Sequence, residues 1–137
     1  MDFSAHQKKF PAEIAEYFRA SWETRNLWRL EIPRISLRVE ELTWHLGYPF
    51  CSSDPPSPLF DLTPRALMEN PLEFPRHWRR VLDADLSFPI HVSRFGERWV
   101  ILDGIHRLLK SITTGRVVME CNRVPREHLH FAALTSE

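Results

Sequence analysis

Hydrophobic residues recur at helical spacing near the amino terminus. The apolar positions are Ile14, Tyr17, Phe18, Trp22 and Trp28, with charged residues between them. Pro11 suits the first turn of a helix. The pattern predicts one amphipathic helix over about residues 11–28, inside a helical extension that covers residues 1–30.

Farther along the chain, hydrophobic and polar residues alternate with a period of two instead of the helical spacing. Ile35, Leu37 and Val39 alternate with polar residues, as in a half-buried strand. Residues 47–58 are rich in Pro and Ser, which predicts a loop. Thr63 before Pro64 is typical of a helix start and predicts a helix over residues 64–69, followed by a second over about 75–85.

The second half begins with two short apolar runs. Residues 89–92 and 99–102 flank a Phe-Gly-Glu turn and predict a β-hairpin. Helical spacing follows, because Ile105, Leu108, Leu109 and Ile112 stand at i, i+3, i+4 and i+7. With Gly115 in the place of a C-terminal cap, this predicts a helix over about residues 105–114. Residues 117–119 predict a further strand, and residues 125–129 could open a last helical turn.

The order of predicted elements indicates the fold class. The order fits an α+β or mixed α/β domain, with a small mixed β-sheet packed against helices. It runs helix, strand, loop, two helices, two strands, helix and strand. A chain of 137 residues with 43% hydrophobic content can build one core. Residues 1–137 are therefore expected to form a single domain, whose core spans residues 35–124.

Charge and cysteine content narrow the classes of function. Eighteen basic residues balance eighteen acidic ones, so nucleic acid is a less favoured partner and any anion site must be local. Cys51 and Cys121 are too far apart in sequence to signal a zinc site or a disulfide framework. Neither a signal peptide nor a long apolar run is evident, so we expect a cytoplasmic protein without a membrane partner.

The sharpest chemical signal lies between the last hairpin strand and the helix after it. Gly104 lets the backbone approach a ligand. The N–H groups of Ile105, His106 and Arg107 lack intrahelical partners, and the helix dipole makes that end positive. Arg107 could add a bidentate grip on an oxyanion. These four residues, Gly104 included, are predicted to bind phosphate.

Asp103 stands one residue before the turn and has three possible roles. It could hold Mg²⁺, accept a proton from a hydroxyl nucleophile, or cap the helix. His106 lies off the apolar face of the predicted helix and joins Asp103 as a candidate catalytic residue. Glu40 and Glu41 could supply a second carboxylate, although a solvated strand end is the favoured explanation for them.

An apolar strand followed by Asp-Gly-x-His-Arg-Leu and a helix ending in Gly resembles the ParB/sulfiredoxin-like superfamily. Pro89-Ile90-His91-Val92 is similar to the Pro-[Ile/Val]-x-Val strand of that superfamily. The resemblance covers about residues 35–124, apart from the loop at 47–58. It implies a nucleotide, either ATP, ADP or CTP, with its phosphate at the Gly104 turn and Mg²⁺ as a companion ion.

Members of the superfamily differ in function, so the resemblance favours some activities over others. Sulfiredoxins carry a catalytic cysteine where this chain has Ile105, so sulfinic-acid reduction is not expected. ParB proteins continue into a DNA-binding region, whereas this chain ends soon after the motif. Free-serine kinases keep Asp-Gly-x-His-Arg with a catalytic Asp, and their motif is the closest match.

Three histidine and arginine groups allow a functional and a structural interpretation. His91 could face the same cleft as His106 or serve as a structural histidine. His128 and His130 form a pair without further ligands at metal spacing. The basic run at residues 76–80 could meet nucleic-acid phosphate or form the solvated face of a helix.

Three functions remain in competition. The first is nucleotide binding with Mg²⁺-dependent phosphoryl transfer or nucleotide hydrolysis, acting on a small molecule or a protein. The second is a noncatalytic module for protein interaction or regulation, which has a protein partner. The third is nucleic-acid binding or nuclease activity.

Overall fold

A computed structural model describes residues 32–51 and 61–125 of the chain, which form a four-stranded sheet covered by helices. The strands are β1 (Arg34–Arg38), β2 (Ile90–Phe95), β3 (Arg98–Asp103) and β4 (Val118–Arg123). The α-helices are α1 (Pro64–Glu69), α2 (Pro75–Asp83) and α3 (Ile105–Thr113). Two short 3-10 helices, Val39–Glu41 and Thr43–Gly47, follow β1.

The sheet is mixed, with the strand order β1-β4-β2-β3. β1 is antiparallel to β4, β4 is parallel to β2, and β2 is antiparallel to β3. The parallel pair requires a crossover, which α3 supplies. The predicted class of a small mixed sheet packed with helices is therefore confirmed at this level.

Helix α3 lies between the sheet and the other two helices. Leu108 is fully buried among sheet residues such as Ile90 and Val92. Leu109, on the other side of α3, is fully buried against Leu67 of α1 and Val81 of α2. Burial of such side chains stabilises the fold by about 1.5–3 kcal/mol each, so α3 is held by two apolar layers.

Two contacts fix α1 and α2 locally. The Thr63 hydroxyl accepts a hydrogen bond from the Ala66 N–H at 3.1 Å, which confirms the predicted cap of α1. Lys110 Nζ donates to the carbonyl oxygens of Leu82 and Ala84, at 2.8 and 2.7 Å. A cation at the C-terminal end of α2 is favoured by its dipole, and the contact ties α2 to α3.

Most predicted elements of the core are found, with shifted boundaries. The hairpin, α1 and α3 are confirmed, α2 ends two residues early, and the last strand is longer than residues 117–119. The 3-10 helices were not predicted. The amino-terminal helix, residues 52–58 of the loop, residues 126–129 of the last turn, His128 and His130 lie outside the described residues.

None of the helices within residues 32–51 and 61–125 has the length and apolar character needed to cross a membrane.

Candidate functional site

The predicted strand-to-helix turn is present. β3 ends at Asp103, α3 begins at Ile105, and Gly104 between them has φ of +118°, in the left-handed region. A Cβ atom on Gly104 would lie 2.8 Å from Ile90 Cβ and closer still to Ile90 Cγ2. Both the backbone angle and the close approach of β2 therefore require glycine.

A cavity of about 360 Å³, called the first cavity below, opens at this turn. Its lining residues are Phe50, Arg80, Ala84, Ile101, Leu102, Asp103, Gly104, Ile105, His106 and Arg107. The backbone N–H groups of residues 105–107 are in the first turn of α3, where helix geometry supplies no acceptor. The structure thus brings the four predicted phosphate-binding residues together around one cavity.

The Arg107 side chain lines this cavity and is only one-fifth exposed. Its Nη1 donates to the carbonyl oxygen of Pro89 at 2.7 Å, and its Nη2 lies 3.4 Å from Asp103 Oδ2. These contacts use only part of the five N–H donors of the guanidinium group. Arg107 is therefore held in place while part of its hydrogen-bonding capacity stays open.

Asp103 is also one-fifth exposed and lies between two basic side chains. Besides Arg107, it faces His91, whose Nδ1 is 3.8 Å from Asp103 Oδ2. Across the described ranges, no three side chains of the His, Cys, Asp and Glu types come together as a metal site. Asp103 is thus a single carboxylate, which suits Mg²⁺ only in company with phosphate oxygens and water.

His106 packs against His77 of α2. The Nε2 atom of His106 is 2.9 Å from Nδ1 of His77, and the two rings stack at an interplanar angle of 17°. Burial, with Arg80 and His77 nearby, lowers the pKa of His106 to about 3. The ring is therefore neutral at pH 7, and its Nε2 is engaged with another side chain.

Glu40 and Glu41 lie apart from the first cavity. They follow β1, at one edge of the sheet, whereas Asp103 ends β3 at the other edge. Two strands lie between β1 and β3, which puts these strands about 14 Å apart at the usual spacing. Asp103 is also level with Arg34, at the opposite end of β1 from Glu40 and Glu41. Glu40 accepts from the Arg38 guanidinium at 2.9 Å, and Glu41 accepts from the Arg38 N–H at 3.0 Å.

Sequence reasoning did not include Arg80 or His77 in the site. Arg80 belongs to the basic run at residues 76–80, which was open to a solvated-face interpretation, yet it lines the first cavity. His77, in the same run, is 4% exposed. The only available signal was the run itself, since no spacing rule joins α2 to the start of α3.

Comparison with protein-family models, with curated proteins and with solved structures finds no match to this chain.

Proposed function

We propose that this chain binds the phosphate of a nucleotide in the first cavity, at the start of α3, and supports Mg²⁺-dependent phosphoryl transfer or hydrolysis there. The observation that carries the proposal is the convergence of Gly104, the first turn of α3 and Arg107 on one cavity. Its volume of about 360 Å³ is within the range for small-ligand pockets, about 300–1,000 Å³.

The charges of the lining favour an anion. Arg80 and Arg107 supply two positive charges against the single carboxylate of Asp103, and the His106 ring is neutral at pH 7. The positive end of the α3 dipole adds to the attraction. An oxyanion could accept hydrogen bonds from the backbone N–H groups of residues 105–107 and from Arg107.

Within this proposal, each predicted site residue has a role. Asp103 accepts the proton of an attacking hydroxyl or water, or is the protein ligand of the Mg²⁺ that accompanies the nucleotide. His106 contributes its backbone N–H to the phosphate, while its ring fixes α3 against α2. The mixed sheet and the Asp-Gly turn are compatible with a ParB/sulfiredoxin-like fold, which belongs to the same proposal.

Calorimetry tests the binding step. ATP, ADP, CTP and GTP would be titrated with Mg²⁺ into the wild type and into Arg107→Ala, Arg80→Ala and Arg79→Ala. Arg79 is the matched control, because it lies on α2 beside Arg80 but pairs with Asp83 on the exposed surface. We expect Arg107→Ala to weaken binding at least tenfold, about 1.4 kcal/mol, and Arg80→Ala to weaken it less.

Turnover separates an enzyme from a noncatalytic module. Asp103→Asn should lose phosphate release in either role, since the amide neither accepts the proton nor supplies a charged Mg²⁺ ligand. Retained nucleotide binding in this variant would identify Asp103 as the proton acceptor, and weakened binding would identify it as the Mg²⁺ ligand. Binding without turnover in the wild type would favour the regulatory module. No binding of any of the four nucleotides, or equal loss in Arg79→Ala and Arg107→Ala, would refute the proposal.

A further inference from the structure

A row of four polar residues crosses the whole sheet, one from each strand. Arg34 of β1 pairs with Asn122 of β4, Asn122 pairs with His91 of β2, and His91 pairs with Asp103 of β3. Paired residues in neighbouring strands point to the same face of a sheet. The row therefore forms one continuous polar strip, called the polar row below.

The polar row lies on the face of the sheet away from α3. The sequence neighbours of its members, Ile35, Cys121 and Ile90, belong to the core that packs against α3. Since side chains alternate between faces along a strand, Arg34, Asn122 and His91 point the other way.

A second cavity, of about 630 Å³, lies over this strip. Its lining residues are Arg34, Asp85, Phe88, Pro89, His91, Arg107 and Asn122. Arg107 lines both cavities, whereas Arg80 lines only the first and Arg34 only the second. The two spaces are thus neighbours that share one guanidinium group.

The guanidinium groups outnumber the available carboxylate in the second cavity. The Arg34 side chain is exposed, and within the described part of the chain it makes no hydrogen bond or ion pair. The one carboxylate of the lining, Asp85, already accepts from the N–H and the hydroxyl of Ser87, at 2.9 and 2.6 Å. The lining therefore holds two guanidinium groups and one carboxylate, and the donors of the Arg34 side chain are unused.

The histidine of the polar row adds a buried nitrogen atom without a hydrogen-bond partner. His91 is 6% exposed, and the Asn122 side-chain amide nitrogen is 3.3 Å from its Nε2. An amide N–H donates to that nitrogen, which leaves the proton of a neutral ring on Nδ1. His91 Nδ1 makes no hydrogen bond. Its nearest carboxylate oxygen, Asp103 Oδ2 at 3.8 Å, is beyond hydrogen-bond distance, so the ring N–H is unsatisfied.

We propose that the second cavity binds a small organic anion, with its carboxylate or phosphate group on Arg34 and Arg107 and its apolar part against Phe88 and Pro89. The Phe88 side chain is 63% exposed and offers an apolar surface at the cavity. This site shares Arg107 with the proposed nucleotide site, but it does not require a nucleotide, because Arg34 and His91 are outside the lining of the first cavity.

Each cavity contains one histidine, which makes the sites separable by NMR. The side-chain ¹⁵N signals of His91 report on the second cavity and those of His106 on the first. Benzoate and phenyl phosphate would be titrated into the full chain as probes. We expect both to shift the His91 signals in a saturable manner, and the tighter of the two identifies carboxylate or phosphate as the preferred group.

Matched variants at the two ends of β1 provide the control. Arg34→Gln should weaken probe binding at His91 at least tenfold. Arg38→Gln, at the other end of the same strand and outside both cavities, should leave it unchanged. Because both arginines are exposed, both variants should fold, which unchanged His106 signals would verify.

Two results would overturn the inference. One is that neither probe shifts His91, and the other is that Arg34→Gln and Arg38→Gln bind equally well. The proposed nucleotide site is tested separately, because Arg80→Ala and the His106 signals report on that site alone. Loss of nucleotide binding with retained probe binding at His91 would leave this inference intact.

Discussion

The Nδ1 atom of His77 lies 2.9 Å from the Nε2 atom of His106, and this contact joins α2 to the first turn of α3. Only one of the two nitrogens can carry the shared proton, so the pair requires at least one neutral ring. The low pKa of His106, about 3, agrees with this requirement. The contact also holds Arg80 of α2 beside the cavity at the Gly104 turn.

Acid should destabilise the fold through its buried histidines. Burial lowers the pKa of His45 and His106 to about 3, and also lowers that of His91. Unfolded histidine titrates near 6.5, so the unfolded chain binds more protons below that pH. The free energy of unfolding therefore has its full value above about pH 6.5. It falls as the pH drops towards 3, by up to about 1.4 kcal/mol per pH unit for each histidine.

Urea unfolding between about pH 7.5 and 5 measures this slope. His106→Gln removes one of the titrating groups and should flatten the slope, whatever its effect on stability at neutral pH. An identical slope in the variant and the wild type would contradict the role assigned to His106.

Replacing Gly104 should damage both stability and the first cavity. Gly104→Ala introduces a Cβ at positive φ and against the Ile90 side chain, which together should cost about 3 kcal/mol. Gly115→Ala is the control, since Gly115 also has positive φ, of +77°, but open space around it. It should cost only about 1 kcal/mol. Chemical denaturation measures both losses of unfolding free energy. Equal losses in Gly104→Ala and Gly115→Ala would show that the contact with Ile90 is unimportant.

His45 should be a structural histidine of high energetic value. Its Nδ1 donates to the Leu42 carbonyl oxygen at 2.7 Å, and its Nε2 accepts from the Ile101 N–H at 3.0 Å. His45→Leu removes both side-chain hydrogen bonds. The Leu42 carbonyl oxygen keeps the backbone N–H of residue 45, at 3.2 Å, but the Ile101 N–H is left buried without its partner, so the substitution should cost about 2–3 kcal/mol.

A neighbouring residue provides the comparison for His45. Trp44→Phe removes a single hydrogen bond, from Trp44 Nε1 to the Trp99 carbonyl oxygen at 3.0 Å, and should cost about 1 kcal/mol. The free energies of unfolding of both variants check this order. A smaller loss in His45→Leu than in Trp44→Phe would exclude the assigned role.

The two cysteines should be unreactive in the folded protein. Burial raises the pKa of Cys51 and of Cys121 to about 12, so almost no thiolate forms at pH 8. A colorimetric disulfide reagent should therefore detect no thiol in the native protein and both thiols in urea. Rapid reaction of either native cysteine would contradict its burial.

The local elements of this fold were predictable because their signals are local. Thr63 and Pro64 mark the start of α1, and the apolar positions at Ile105, Leu108 and Leu109 mark α3, since each depends on residues within a turn or two. The Asp-Gly turn was found in the same way. Gly104 adopts the positive φ of this turn because glycine has no Cβ and reaches that region most readily.

The 3-10 helices after β1 escaped prediction because their stability comes from distant contacts. His45 has no local pattern that announces its burial, and its partner Ile101 belongs to β3. The same reason explains Glu40 and Glu41. The sequence showed two carboxylates near a strand end, but only the strand order shows that β1 and β3 occupy opposite edges.

The sequence by itself determined the element types, the mixed α/β class and the turn around Gly104, because periodicity, capping and glycine geometry act over a few residues. The tertiary structure decided which side chains meet. It pairs His77 with His106 and aligns Arg34, Asn122, His91 and Asp103 across four strands. Such contacts join segments that are distant in sequence, and the packing of the whole core decides them, whereas a local pattern sets only which face of its own element each side chain occupies.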